Sequence, residues 1–287
     1  MALTDWDASE QHRGYLTKPH SMGRPAKGGL NRTGHMYGMF KLNDIYDGII
    51  AGPERSTSYG SGSLLLDGNS DYIGIVDGDR WDLSAASAWT WELFFYPLGT
   101  SDNMGLMHFS NTGGNSSYTT IRINSNQALA FESTKQSGGP YDFAGANSSA
   151  IINRWNHVRI TYDGSNVRVW LNGIHYAYGG GANITAPSNG TDGMTVRIGT
   201  YGDASSNPGA YFNGYIDEVR ILKGKAASTG SGNIAVPNKE FVPDKYTVLL
   251  LHMDGANGAT SVKDHSWYNN SINFFGTAHI RAETGLF

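Results

Sequence analysis

The chain has 287 residues, a net charge of −4, 38 glycines, only 16% charged residues and no cysteine. Disulfide staples and thiolate metal sites are therefore excluded, so stability must come from an apolar core. No run of about 18 apolar residues is present, which excludes a membrane-spanning helix, and frequent Gly, Asn and Ser between short apolar runs predict an all-β domain with many turns.

Residues 1–58 hold few β-branched residues and no sustained alternation, and they read as an extended N-terminal arm. Between Gln11 and Lys41 lie six basic residues, Arg13, Lys18, Arg24, Lys27, Arg32 and Lys41, with no acid. A basic arm on a more acidic body is a charge asymmetry that points to an external partner. The basic residues and the apolar anchors Met36, Tyr37 and Phe40 are the candidate docking residues. The arm lacks interleaved aromatics and a basic fold behind it, so nucleic acid is not the expected partner. The opening MALTDWDASEQHRG has acids where a secretory signal carries positive charge, so no signal peptide is expected and the chain is expected to be made and kept in a cytoplasm, or to leave by lysis.

The body, 59–226, reads as strands. Ser63–Asp67 and Tyr72–Val76 form a hairpin across Asp67-Gly68-Asn69-Ser70-Asp71. Trp89–Pro97, Gly105–Ser110, Tyr118–Asn124 and Ala128–Ser133 follow. The clearest stretch is Trp155–Tyr178, in which Val158, Ile160 and Tyr162, then Val167, Val169 and Leu171, alternate with polar residues. Its breaks, Asp163-Gly164 and Asn172-Gly173, are hairpin dipeptides. Thr195–Tyr201 and Gly214–Lys223 complete roughly ten or eleven strands, the count of a two-sheet antiparallel jelly-roll sandwich.

Little in these strands points to catalysis. Glycoside hydrolysis needs two carboxylates about 5–10 Å apart. Glu92 and Glu132 are single acids in their strands, and Asp217 and Glu218, being adjacent, are expected on opposite faces. No enzymatic activity and no cofactor are expected. Asp67, Asn69 and Asp71 resemble the start of a calcium loop, but Tyr72 replaces its glycine and Gly78 its bidentate Glu. A polar hairpin that satisfies its own backbone is the better reading. His252 and Asp254 are expected to share a strand face without forming a zinc site. Trp89, Trp91, Phe94, Tyr96, Trp155 and Trp170 read as core and sheet packing. Trp81, Tyr118, Tyr141 and Tyr201, near predicted loops, are the candidates for a sugar-stacking platform.

SLLLDGNSDYIGI, WTWELFFYP, WNHVRITYDG, VRVWLNG, VRIGTY and FNGYIDEVRI, in this order, resemble the laminin-G-like jelly rolls of the concanavalin A-like lectin/glucanase superfamily, over about residues 60–224. The resemblance implies that fold. It also implies a virion setting, since versions with these opening and closing motifs are common in bacteriophage structural proteins. A capsid decoration protein is then expected, docked by its arm on major capsid protein and on copies of itself at the virion surface. The alternative is a carbohydrate-binding adhesion module of a tail fibre or surface protein, with host glycans as ligands. After a linker, 227–245, the stretch YTVLLLHMDG and Ser271–Gly276 resemble the family's opening strands, here placed last. The segment 246–287 is thus expected to complete a jelly roll, its own by permutation or a neighbour's by swapping, near Leu64–Leu66.

Overall fold

The computed structural model describes residues 62–286 apart from 76–78, 82, 84–85, 100–102, 112–117, 125–127, 136–138, 145–151, 177–193, 203–207 and 283. The arm and its docking candidates, Arg13, Lys18, Arg24, Lys27, Arg32, Met36, Tyr37, Phe40 and Lys41, lie outside the described residues. Seventeen strands are present among the described residues. The body contains β1 (Gly62–Asp67), β2 (Tyr72–Ile75), β3 (Trp89–Pro97), β4 (Met104–Asn111), β5 (Tyr118–Ile123), β6 (Leu129–Lys135) and β7 (Gly139–Ala144). It continues with β8 (Asn156–Tyr162), β9 (Val167–Leu171), β10 (Ile174–Tyr176), β11 (Met194–Ile198), β12 (Thr200–Gly202), β13 (Pro208–Tyr211) and β14 (Asn213–Lys223). The C-terminal strands are β15 (Thr247–Leu251), β16 (Ile272–Phe275) and β17 (His279–Ala282), and a 3-10 turn spans Asp79–Trp81.

Two antiparallel sheets form the sandwich. The first runs β10-β9-β8-β3-β14-β1-β17, with β15 also on β14, and the second β16-β2-β11-β4-β5-β6-β7. Alternation in β3 sends Trp89, Trp91, Leu93 and Phe95 into the core, where the Trp91 and Phe109 rings stack with centroids 4.0 Å apart. Truncating such a buried aromatic costs about 3–5 kcal/mol through lost transfer energy and an unfilled cavity. The expected turn at Asn172-Gly173 is present, with φ of 51° and 78°, so Leu171 pairs directly with Ile174. At Asp163-Gly164 the connection is longer: Tyr162 pairs with Val167, and the Asp163 carboxylate accepts from the Ser165 and Asn166 amides.

The expected strand Thr195–Tyr201 is broken at Gly199, whose φ is 90° and where a Cβ would collide with the buried Leu66 side chain. The chain leaves the second sheet there and forms β12, which pairs only with β13.

The C-terminal strands pair within the chain. Leu249 and Leu251 of β15 lie beside Ile221 and Val219 of β14, β16 pairs with β2, and Ile280 of β17 lies beside Leu64. Strand β14 changes partner along its length, from β1 at residues 213–216 to β15 at 219–222. A bulge separates the two, with Glu218 at φ 50°. The bulge overturns the expectation that Asp217 and Glu218 point to opposite faces. Both carboxylates are buried against segments on the outside of the first sheet, Asp217 accepting from the Leu286 amide at 2.8 Å and Glu218 from the Phe241 amide at 2.8 Å.

The stretch read as a linker is a strap across the outer face of the same sheet. Ser228 O accepts from Thr161 Oγ1 at 2.8 Å, Gly232 O accepts from Trp170 Nε1 at 2.9 Å, and Phe241 lies beneath the Arg220 guanidinium at 3.9 Å. Under the strap, Glu92 is fully buried, 2.7 Å from His157 Nε2 and Arg159 Nε and bonded to Arg220 Nη2. Burial alone raises the Glu92 carboxyl, but the bond and charge of His157, with Arg220 and Arg159, bring it down to about 2. The outside of the first sheet is therefore occupied by the protein's own chain.

Candidate functional site

The polar face of the second sheet is built by the same alternation that fills the core. In β4, Met107 and Phe109 turn inward and His108 outward. In β5, Ile121 and Ile123 turn inward, Thr120 and Arg122 outward, and Glu132 of β6 lies opposite Thr120. The small hairpin β12–β13 brings Tyr201 to this face. It approaches β4 so closely at Gly105 that a Cβ there would meet the Thr200 carbonyl carbon and the Tyr201 nitrogen, so only glycine fits.

Two of the four platform candidates meet here. The half-buried rings of Tyr118 and Tyr201 stand 5.9 Å apart at 61°, an angled pair rather than a flat stack. His108 touches both, its ring centroid 5.6 Å from Tyr118 and 5.7 Å from Tyr201. The other two candidates are elsewhere. Trp81 is wholly buried, turned into the core by the Asp79–Trp81 turn, and offers no ring face to a ligand. Tyr141 is in β7, two strands from β5, with its side chain outside the described residues.

Polar groups surround the tyrosines. Arg122 donates to Glu132 Oε2 from Nε at 3.1 Å and Nη2 at 3.0 Å, and to Asn103 Oδ1 from Nη1 at 2.7 Å. Its guanidinium carbon is 5.5 Å from the Tyr201 ring centroid. The Tyr118 hydroxyl donates to Glu132 Oε1. Burial first, then the Glu132 and Tyr201 hydrogen bonds, push the Tyr118 phenol well above its ordinary value, so it stays a donor. His108 is 0% exposed, and neither of its ring nitrogens has a hydrogen-bond partner among the described residues. Burial, with Arg197 adding to it, holds His108 down to about 3, so the imidazole is neutral. A buried neutral imidazole has one donor and one acceptor to offer, and leaving both unmet is costly.

His108, Arg122 and Arg197 were not among the sequence candidates, and Glu132 was weighed only as a lone acid. The signal was the polar positions of MHFS, YTTIRI and FES, which period-2 alternation puts on one face. What alternation does not carry is the lateral neighbourhood of strands, which depends on sheet order.

Two of the three calcium candidates, Asp67 and Asp71, are spent on the backbone. Asp67 Oδ1 accepts from the amides of Asn69, Ser70 and Asp71, and Asp71 Oδ1 from the Thr277 amide. The turn satisfies its own backbone, but the expected hairpin is not formed: β1 pairs with β14 and β17 in the first sheet and β2 with β11 and β16 in the second, so Gly68–Asp71 carry the chain from one sheet to the other. Among the described residues no three His, Cys, Asp or Glu gather as a metal cluster. His252 and Asp254 do not share a strand face: β15 ends at Leu251 and Met253 has φ 56°. His252 Nδ1 instead lies 2.5 Å from Glu218 Oε1.

Chemically, the tyrosine cluster offers ring faces and a fixed ion pair, a set suited to a polyol with apolar C–H faces, while the fully buried His108 backs the two rings rather than facing a ligand. The cluster's one carboxylate, Glu132, is neutralised by Arg122.

No curated protein matches the chain. Among solved structures, a putative carbohydrate binding protein from Bacteroides ovatus is 18% identical with a TM-score of 0.49, the alignment covering 78% of this chain and 60% of that one. The CBM40 of the Ruminococcus gnavus IT-sialidase is 15% identical, TM-score 0.46, covering 57% of this chain and 92% of that one. Mouse laminin alpha1 chain, domains LG4-5, is 15% identical, TM-score 0.42, covering 65% and 49%. The chain thus spans about 60% of the length of the Bacteroides ovatus protein. A family model for the concanavalin A-like lectin/glucanases superfamily matches residues 67–230. That match takes in more than half of the residues, and the chain belongs to the concanavalin A-like lectin/glucanases superfamily.

Proposed function

We propose that the protein is a non-catalytic glycan-binding jelly roll carried on a bacteriophage virion. The observation that carries the glycan reading is the cluster on the second sheet: the half-buried Tyr118 and Tyr201 at 5.9 Å beside the Arg122–Glu132 pair. Aromatic faces pack against the C–H face of a sugar, while a few fixed polar groups select its hydroxyls. The virion setting is supported by the sequence alone, through the resemblance to phage structural proteins and the basic stretch from Arg13 to Lys41. In this reading the arm docks the jelly roll on the major capsid protein and on neighbouring copies, leaving the tyrosine face for host glycans.

Two experiments test the two halves. On an array of neutral and acidic oligosaccharides the full chain should retain specific glycans, and Tyr201→Ala should weaken them at least tenfold without lowering the melting temperature. An array with no retained glycan, or unchanged retention by Tyr201→Ala, overturns the glycan reading. For the arm, protein lacking residues 1–58 should fail to co-sediment with particles stripped of the native copy, and undiminished co-sedimentation overturns the docking role. Attachment should weaken only partly with salt, because apolar anchors such as Met36 and Phe40 are not screened.

A further inference from the structure

A second aromatic surface lies away from the tyrosine cluster, in the turn between β15 and β16. Its backbone is clamped from within. Asp264, buried, accepts through Oδ1 from the amides of Leu250 at 3.0 Å and Ser266 at 2.9 Å. Through Oδ2 it accepts from Ser266 Oγ at 2.7 Å, the Asn270 amide at 2.8 Å and Asn270 Nδ2 at 2.7 Å. Asn270 Nδ2 also donates to Val248 O at 2.9 Å, tying the turn to β15. Residues 264, 266 and 270 are thus spent holding the loop, and the two aromatics between them are turned outward. Trp267 is 80% exposed and Tyr268 is 52% exposed. The Tyr268 ring is held by Arg80, whose guanidinium carbon lies 5.1 Å from its centroid and whose Nη1 donates to Asn270 Oδ1.

An exposed indole on a freely moving loop would mean little. Here the loop's own polar groups fix the backbone on both sides of the two rings, and binding would spend little conformational entropy. We propose that the Trp267–Tyr268 turn is a second saccharide contact, taking the C–H face of a pyranose ring against the indole with Arg80 beside it as a hydroxyl donor. Size decides between a sugar and a protein partner. A Trp and a Tyr each bring at most about 150–250 Å², whereas a stable protein interface takes about 800 Å² from each partner. Two rings on a narrow turn fall short of the second and suit one sugar residue. The proposal extends the glycan reading to a separate surface and can stand or fall without the tyrosine cluster.

The test uses the full chain with Trp6→Phe. Trp81, Trp89, Trp91, Trp155 and Trp170 are buried, so acrylamide quenching then reports on Trp267. Wild type, Trp267→Ala/Tyr268→Ala and Tyr201→Ala, all in that background, are compared on the same oligosaccharide array and then titrated with the best-retained oligosaccharide. The expected result is at least a tenfold weaker apparent affinity for the Trp267/Tyr268 double variant, and protection of Trp267 from acrylamide in the parent protein on adding that oligosaccharide. Loss in the double variant with retention by Tyr201→Ala would place binding on the turn alone, and the tyrosine reading would fall. Unchanged binding by the double variant, or a Trp267 equally quenched with and without sugar, overturns this proposal and leaves the tyrosine cluster untouched. An array that retains no glycan overturns both, and loss of particle association by the double variant with sugar binding intact overturns the turn as a sugar contact in favour of a protein partner.

Discussion

Leu64 lies between Ile216 on one side and Ile280 on the other, so a strand near the start of the jelly roll is flanked by one from its far end. The C-terminal strands are structural members of both sheets, and Leu249, Leu251 and Ile280 are fully buried. Removing residues 246–287 would uncover β1 and β2 along their edges and open the core beside β14. Unpaired edges with apolar faces aggregate. The truncated protein is expected to be insoluble or to lack a cooperative melt by circular dichroism, and a soluble truncation with a sharp transition would sink this account of the closing strands.

Much of this architecture is legible from the chain, for reasons that differ by element. Strands β3, β8 and β9 alternate because one face of each meets the core, and Asn172-Gly173 marks its turn because both residues need positive φ. By contrast β17 is only His279–Ala282, too short for a period, and β7 opens on Gly139-Pro140, which reads as a loop. The strap over the first sheet has no period because it contributes backbone carbonyls and single anchors such as Phe241 rather than a face. At the site, Tyr118 and Tyr201 are legible as aromatics near loops. Their closeness to each other and to His108 depends on strand order and on the approach of the hairpin to Gly105, neither of which local sequence carries. Trp81 was misplaced for the converse reason, since a turn of three residues decides whether the indole faces in or out.

Glu92 should be among the most sensitive surface-facing positions of the first sheet. Glu92→Gln keeps the shape but leaves Arg159 and Arg220 facing a neutral group under the strap. Breaking a buried ion pair by removing one partner costs about 3–5 kcal/mol. Lys225 and Asp244 form a pair at 2.7 Å whose side chains are 43% and 37% exposed, and Asp244→Asn is expected to cost less than about 1 kcal/mol. Urea unfolding of the two variants checks the ranking. Equal midpoints would mean that the strap does not shield the Glu92 network from water.

The four strand carboxylates weighed for glycoside hydrolysis are all engaged or covered. Glu92 is locked to three cationic or imidazole partners and Glu132 to Arg122 and Tyr118. Asp217 and Glu218 are covered by the chain's own segments. None of these four is free to act with a second carboxylate across a glycosidic bond. Incubation with a panel of β-glucans and host polysaccharides should release no reducing ends. Turnover that disappears in Glu132→Gln would reverse this conclusion.

The pH dependence of stability should carry the mark of His108. Its folded value is held near 3 by burial and by Arg197, against 6.5 for the free side chain. Below about pH 6.5 the unfolded chain therefore binds a proton that the folded one refuses. The contribution is complete above that pH and is lost as pH falls toward 3, at about 1.4 kcal/mol per pH unit. Glu92, held near 2, adds a second loss that begins only below its ordinary 4.5, so the interval between 6.5 and 4.5 separates the two. His157, lowered chiefly by burial, works in the same direction as His108 in that interval. His252 runs the other way. Burial lowers it, but the Glu218 bond and charge, with Glu240 and Asp254 behind, outweigh that and hold it above its ordinary value. Its contribution is therefore full below the unfolded value and fades as pH rises through the folded one. A substitution isolates the His108 part. His108→Phe keeps an aromatic ring beside Tyr118 and Tyr201 and removes the titrating group, so its stability should fall less steeply than the wild type between pH 6.5 and 4.5. The difference should approach one proton, or about 1.4 kcal/mol per pH unit. Urea midpoints measured every half unit across the interval would show it, and parallel curves for the two proteins would mean that His108 takes up its proton in the folded state.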